Sequence, residues 1–373
     1  MSTADLLQKQ IKVVIDLYSN GQIQEALDNV ESLIKDYPKE PLLYNINGVC
    51  YKAIGRLDAA VKNFEKVLAI KPDYIEVCFN LGVTRRELGQ LNAAIKCYKK
   101  ALDLKPDYTE AHYNLGNAFK ELGQLEDAVK SYKKVLFFKP DHASAHNNLG
   151  NALSDLGQLD DAIKCYEKAL ALKPDFAEVY ANLGNIMRRL KKLDESLISY
   201  ESAIALNPKL DRVLGDLLYT KMNLCLWGDL DICLNELTNK VINGKKVFKP
   251  FPLLALIDNP EIQRKTAEIY AKDKYPQNHF LPKIGRYPKH KKIRIGYFSA
   301  DFHNHPIAYL TAELYELHDR ERFEIHAFSF GQDTKDKMNL RIKEGVDHFH
   351  DIRTMSYKDT AKLARSLEID IAV

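Results

Sequence analysis

Residues 109–142 read TEAHYNLGNAFKELGQLEDAVKSYKKVLFFKPDH, and this stretch decides the fold because the chain repeats its plan at a fixed 34-residue period. Pro140 has counterparts at Pro38, Pro72, Pro106, Pro174 and Pro208. Gly116 recurs as Gly48, Gly82, Gly150 and Gly184, and Ala128 as Ala26, Ala60, Ala94 and Ala162. Gly123 belongs to a fourth register with Gly21, Gly55, Gly89 and Gly157, which breaks at Lys191. Each register has a mechanical meaning. Proline cannot continue a helix and closes the unit. The glycine at unit position 15 makes the turn between two helices. The glycine at position 8 and the alanine at position 20 are small enough for paired helices to approach. Aromatic residues at position 24 (Phe64, Tyr98, Tyr132, Tyr166, Tyr200) are expected to fill the space between neighbouring units.

Working outward, six units span residues 7–210, just over half of the 373-residue chain. The pattern resembles the tetratricopeptide repeat, which implies a right-handed superhelix of helix pairs. Val14, where later units have glycine, is read as a feature of a terminal unit. Residues 211–243 read as two more helices, Leu217–Cys225 and Leu230–Val241, a degenerate unit that caps the stack. The whole chain is too long for one core. The expected organisation is multi-domain: an all-α tetratricopeptide superhelix (1–210), a degenerate repeat, cap and linker (211–290), and the start of a Rossmann-like α/β lobe (291–373).

Composition narrows the function classes. At 46% hydrophobic and 28% charged the chain reads as soluble globular protein. A net charge of +3 argues for neither nucleic acid nor an anionic membrane as partner. No apolar run is long enough to span a bilayer, and the start Met1-Ser2-Thr3-Ala4-Asp5 lacks the form of a secretory signal. Six scattered cysteines without a C-x-x-C pair fit a reducing compartment. A cytoplasmic or nucleocytoplasmic protein is expected.

The first helix of each unit is expected to line a concave surface. Position 6 there is Asn80, Asn114, Asn148 and Asn182, and position 9 adds Asn117, Asn151 and Asn185. A ladder of carboxamides can hold the backbone of an extended peptide without reading its side chains; asparagine before Leu-Gly is also a common structural choice in such repeats. Position 12 carries Lys52, Arg86, Lys120 and Arg188, interrupted by Ser154. That row could clamp a peptide C-terminal carboxylate, as in an adaptor or co-chaperone, or be a solvated helix face.

Past a proline-containing connector with one expected helix (Pro260–Tyr275), the periodicity changes. Strands are expected at Lys292–Ser299, Phe323–Phe330, His348–Ile352 and Ile369–Val373, with helices at Pro306–His318, Lys335–Glu344 and Ser356–Glu368. Alternation of this kind implies a doubly wound parallel sheet. The first strand is followed by Ser299-Ala300-Asp301-Phe302-His303-Asn304-His305-Pro306 instead of a glycine-rich dinucleotide fingerprint.

A tetratricopeptide array, a Trp227-containing transition and an R-I-G-Y-x-S-x-D-F-x-x-H-P strand, loop and helix together resemble the protein O-linked N-acetylglucosamine transferases and their SPINDLY-type relatives, glycosyltransferase family 41. The resemblance covers essentially the whole chain. It implies two Rossmann-like lobes facing a cleft, and metal-independent sugar transfer from a nucleotide donor to Ser or Thr hydroxyls. UDP-N-acetylglucosamine is the first expectation for the donor, and fucose the alternative. It implies that Asn80, Asn114, Asn148 and Asn182 hold acceptor polypeptide, and leaves a homodimer through the repeats open. His305 matches the family's active-site histidine. Its own position supports a role: the loop leaves the carboxyl end of a parallel strand, where ligands of such sheets bind. Pro306 suits the first helical position, which makes His305 the N-cap. A neutral imidazole able to accept a hydrogen bond is expected there; it could orient the acceptor or the sugar, or act as general base. His303 stands where many relatives have glycine.

No cofactor and no metal are expected. His303/His305 and His348/His350 are spaced to share a strand face, but no carboxylate or cysteine cluster completes a zinc set. Asp229-Leu230-Asp231 has a metal-dependent transferase spacing, but it opens a helix of the cap. The final strand reads as buried and uncovered, so the chain is expected to be an inactive fragment of an enzyme. The alternative reading is a tetratricopeptide adaptor without catalysis.

Overall fold

The computed structural model describes residues 3–276, 281–285, 287 and 290–373, with the side chains of residues 3 and 4 left aside. It divides into two compact units, Met1–Ala271 and Lys272–Val373.

The first unit is a stack of antiparallel helix pairs. In order they are α1 (Thr3–Ser19) with α2 (Ile23–Asp36), α3 (Pro41–Ala53) with α4 (Leu57–Ile70), and α5 (Ile75–Glu87) with α6 (Leu91–Leu104). There follow α7 (Thr109–Glu121) with α8 (Leu125–Phe138), α9 (Ala143–Asp155) with α10 (Leu159–Leu172), and α11 (Ala177–Arg189) with α12 (Leu193–Leu206). Successive first helices touch one another, α5 with α7, α7 with α9 and α9 with α11, which puts them on the inner side of the superhelical curve.

The small residues act where the spacing implies. A Cβ on Gly116 would lie 2.7 Å from the Tyr132 ring, and one on Gly48 would lie 2.6 Å from Phe64. Each aromatic therefore sits on the glycine of its own unit, wedged between the paired helices, and the expectation that it chiefly fills the gap between units is corrected. Val14 has the same cause. Its unit carries Val30 at position 24, and the two valines, both fully buried, replace the glycine and the ring by volume exchange. The turn glycines hold φ between +72° and +79°, and Lys191 takes the same left-handed conformation at +59°.

Two further helices, α13 (Val213–Asn223) and α14 (Leu230–Ile242), close the stack. Val247 and Phe248 fold back onto Leu214 and Leu218, in one core with Leu253 of a short α15 (Pro250–Leu253) and Ile262 of α16 (Pro260–Lys274). Gly215 is required there, since a Cβ would lie 1.6 Å from the Phe248 ring. Among the described residues no helix is long and apolar enough to cross a membrane.

The second unit holds β1 (Ile293–Ser299), α17 (Pro306–Leu317), β2 (Phe323–Ser329), α18 (Lys337–Glu344), β3 (His348–Asp351), α19 (Tyr357–Ser366) and β4 (Ile371–Ala372). The strands are parallel in the order β3-β2-β1-β4. One face, carrying Tyr297, Ala327 and Phe349, packs on Ala308, Ala312 and Tyr315 of α17 and on Met338 and Ile342 of α18. Arg294 on the other face bonds Leu367 O, just past the end of α19. In the last strand Ile371 is 46% and Val373 63% exposed. Among the described residues β4 pairs with β1, and α19 contributes no buried side chain.

Candidate functional site

The chain runs β1, β2, β3 to one side and then crosses back to lay β4 beside β1. The carboxyl end of β1 is therefore a topological switch point, the place where open α/β sheets leave a crevice for ligand. The loop Ala300–His305 begins at that point.

Its shape is set from α18. Asp336 caps α18 by accepting from Met338 N and Asn339 N, both at 3.0 Å, and the same carboxylate accepts Asn304 N at 2.9 Å. Thr334 donates its hydroxyl to Asp336 as well. Desolvation opposes ionisation, but these donors overcome it and draw the Asp336 pKa down to about 2. Asn339, itself buried, donates to Phe302 O at 2.6 Å, and the Phe302 ring is buried against Tyr315 and Phe349. Gly331, just past β2, allows close approach to the loop: a Cβ there would lie 1.7 Å from Ala300 O.

His305 ends this loop as the N-cap of α17, with extended backbone and Pro306 at the first helical position. Its Nδ1 accepts from Ile307 N at 3.3 Å. A neutral imidazole capped in this way carries its proton on Nε2, so the ring offers a donor to the crevice. The expected acceptor role is taken up by the helix itself. Asp301 Oδ2 lies 3.7 Å from the same Nδ1. His303 stacks on His305 with centroids 5.7 Å apart and planes 14° apart, and among the described residues its buried Nδ1 has no hydrogen-bond partner.

In the repeats the asparagines are largely employed on the protein. Position 9 serves the aromatic wedge: Tyr132, Tyr166 and Tyr200 donate to Asn117, Asn151 and Asn185 at 2.7, 2.6 and 2.9 Å. Asn151 and Asn185 therefore act inside their own unit, while Asn117 also accepts from the following one. Position 6 ties each unit to the one before it. Asn148 donates to Tyr113 at 2.9 Å and to Asn117 at 3.0 Å, Asn182 donates to Asn147, and Asn114 accepts from Arg86 at 3.1 Å. The side chain of Asn80 bonds no described residue. All four are partly exposed, and none uses its full capacity of two donors and two lone pairs.

Position 12 is a joint between units. Lys52 pairs with Glu87 at 3.1 Å and Arg86 with Glu121 at 2.9 Å, each acid at position 13 of the next unit. At the next joint Lys120 feels Asp155, although burial is the larger effect and lowers its pKa. Arg188 pairs with Asp216 of α13 at 3.0 Å. Ser154, which interrupts the basic row, receives Arg189 of the following unit on its hydroxyl at 3.0 Å. Lys52, Arg86 and Arg188 are thus engaged by carboxylates of the neighbouring units.

The remaining cluster was missed because it crosses strands. His348 faces His326 in the β2–β3 register, and Glu324 lies two residues before His326 on the same face. Burial first, then His348, pushes the His326 pKa down to about 4. In the Asp229-Leu230-Asp231 stretch, Asp229 accepts from Lys221 at 2.6 Å.

Residues 84–123, 116–157 and 150–191 match a TPR repeat family, and 14–75 and 177–210 match two tetratricopeptide repeat families. Residues 268–371 match Glycosyl transferase family 41. Over 173 residues the chain is 28% identical to "Probable UDP-N-acetylglucosamine–peptide N-acetylglucosaminyltransferase SEC" of Arabidopsis thaliana, covering 42% of this chain and 18% of that one. Over 62 residues it is 31% identical to a UDP-N-acetylglucosamine–peptide N-acetylglucosaminyltransferase of Caenorhabditis elegans, covering 17% and 5%. The alignments thus span less than a fifth of the length of these curated relatives. Among solved structures, MamA aligns with a TM-score of 0.42 and 28% identity over 43% of this chain and 95% of its own. YrrB, a TPR protein with an unusual peptide-binding site, aligns with a TM-score of 0.45 and 18% identity over 52% and 97%. The chain joins tetratricopeptide repeats to a glycosyl transferase family 41 segment and is homologous to the SEC-type UDP-N-acetylglucosamine–peptide N-acetylglucosaminyltransferases.

Proposed function

We propose that this chain serves a protein O-glycosyltransferase that moves N-acetylglucosamine from UDP-N-acetylglucosamine to Ser or Thr hydroxyls of cytoplasmic proteins. The observation that carries the reading is His305, held at the switch-point end of β1 inside the family 41 segment. In the transfer, the acceptor oxygen bonds the anomeric carbon as the bond from that carbon to the diphosphate oxygen breaks, and the hydroxyl proton passes to water or to the departing diphosphate. With Nδ1 given to the helix cap, His305 contributes Nε2–H as a donor that orients the acceptor oxygen or the sugar. The repeats hold the acceptor chain through the unused capacity of Asn80, Asn114, Asn148 and Asn182. The matched relatives extend far beyond the aligned residues, so residues 1–373 alone are expected to bind acceptor peptide without transferring sugar.

The test uses the longest reading frame that contains this chain, offered a Ser/Thr peptide with UDP-N-acetylglucosamine or GDP-fucose. Transfer from the first donor, lost in His305→Ala with peptide binding intact, supports the reading. Transfer from GDP-fucose alone would reassign the donor. Peptide binding without transfer from either donor would leave a repeat adaptor.

A further inference from the structure

We propose that Glu324, His326 and His348 form a binding site for a first-row divalent metal ion, with Zn²⁺ its natural occupant. The site lies at the amino end of β2 and β3, whereas His305 follows the carboxyl end of β1, so it is distinct from the transfer site proposed above.

The geometry carries this. One ligand atom from each residue falls within 4.8 Å of the others. His348 Nε2 is 2.9 Å and His326 Nε2 is 3.6 Å from the same oxygen, Glu324 Oε1. Metal–nitrogen and metal–oxygen bonds of about 2.0–2.1 Å place tetrahedral ligand atoms roughly 3.3 Å apart, between those two separations. The third separation closes by rotation of His348, the exposed member. Two imidazoles and one carboxylate form a donor set suited to zinc and its neighbours, with a fourth position left for water.

A second observation supports the site. His326 is 3% exposed, and among the described residues its buried Nε2 has no hydrogen-bond partner. Its other nitrogen, Nδ1, lies 3.1 Å from His350 Nε2. If Nδ1 donates to His350, the Nε2 lone pair is aimed at a carboxylate oxygen, a repulsive arrangement that a metal ion between the two atoms would relieve. His350 then acts as the outer partner that fixes a ligand's tautomer. Arg294 donates to Glu324 Oε2 at 3.0 Å, which orients the carboxylate and leaves Oε1 to the metal. Bound there, the ion would tie β2 to β3.

The test titrates the metal-free 373-residue chain with Co²⁺, read by the visible d–d bands of a four- or five-coordinate ion, and then displaces it with Zn²⁺. One ion per chain is expected. His348→Ala, at an exposed position, and Glu324→Gln, which keeps a partner for Arg294, should each weaken binding at least tenfold with the far-ultraviolet dichroism unchanged. Zn²⁺ should raise the thermal midpoint of the wild type and leave that of His348→Ala unmoved. No d–d bands, equal binding by these variants, or binding lost in a His303→Ala/His305→Ala double variant would overturn the proposal.

Discussion

The Tyr132 hydroxyl donates to Asn117 Oδ1 at 2.7 Å, fifteen residues earlier and on the partner helix of the same unit. The two positions vary together. Tyr166 and Tyr200 have Asn151 and Asn185, while Phe64, with no hydroxyl, has Val49. The third unit breaks the rule: Tyr98 faces Val83, and its buried hydroxyl has the Arg86 guanidinium as its polar neighbour in place of a carboxamide. Tyr166→Phe strands the Asn151 oxygen and should lower stability by about 1 kcal/mol, whereas Tyr98→Phe, which breaks no bond to a carboxamide, should cost less. Denaturant midpoints of the two variants check the difference.

The same rings predict a response to alkali. Burial raises the phenol pKa of Tyr98, Tyr132, Tyr166 and Tyr200 above the ordinary value of 10.0. The folded state therefore keeps protons that the unfolded chain releases. The stabilisation is complete below the unfolded pKa near 10 and is lost as pH climbs through the higher folded values. Helicity should hold to about pH 10 and fall above it. Tyr98→Phe should soften that fall, since one raised phenol is gone.

Lys191 occupies a glycine position at φ +59°, and its turn makes the same bonds: Lys192 N to Met187 O at 2.9 Å, as Gln124 N to Phe119 O at 2.9 Å. Left-handed backbone costs a side-chain-bearing residue roughly 1–2 kcal/mol. Lys191→Gly should recover about 1 kcal/mol after the added chain entropy of glycine, and Gly123→Ala should lose about 1 kcal/mol. Thermal midpoints moving in opposite directions would bear this out; equal shifts would refute it.

Asp336 joins the His305 loop to α18, so Asp336→Ala should loosen both. Amide exchange at Asn304, Met338 and Asn339 should rise about five- to tenfold, the scale of a lost helix cap. Its depressed pKa sets the acid behaviour. The contribution is present above the unfolded pKa near 3.8 and is lost as pH falls toward about 2. Exchange at Asn304 that ignores both the substitution and the acid would show that the loop is held by other contacts.

Much of the array was legible because its rules are local. Proline ends a helix, glycine takes positive φ and small residues admit a ring wherever the sequence puts them. What escaped depends on partners. Asn117 reads as a surface carboxamide until Tyr132 is seen to occupy it. The basic row reads as a clamp or a solvated face until Lys52 and Arg86 are found against position 13 of the next unit. The loop motif marked His305, but its anchors Asp336 and Asn339 sit more than thirty residues later with no spacing signal. Glu324 and His326 could not be joined to His348 without the strand register.

The joint between positions 12 and 13 makes the array editable by rule. Removing residues 109–142 would bring Arg86 opposite Asp155, a matched pair, and the seam would close much as before. Removing 143–176 would set Lys120 against Arg189, two cations, because the joint at Ser154 is written the other way round. The third and fourth units, each with a cation at position 12 and an acid at position 13, are exchangeable with one another, whereas Arg189 at position 13 makes the sixth compatible with a neutral or acidic residue at position 12 of its predecessor. Whole-unit duplication or loss is therefore least disruptive at the third and fourth units.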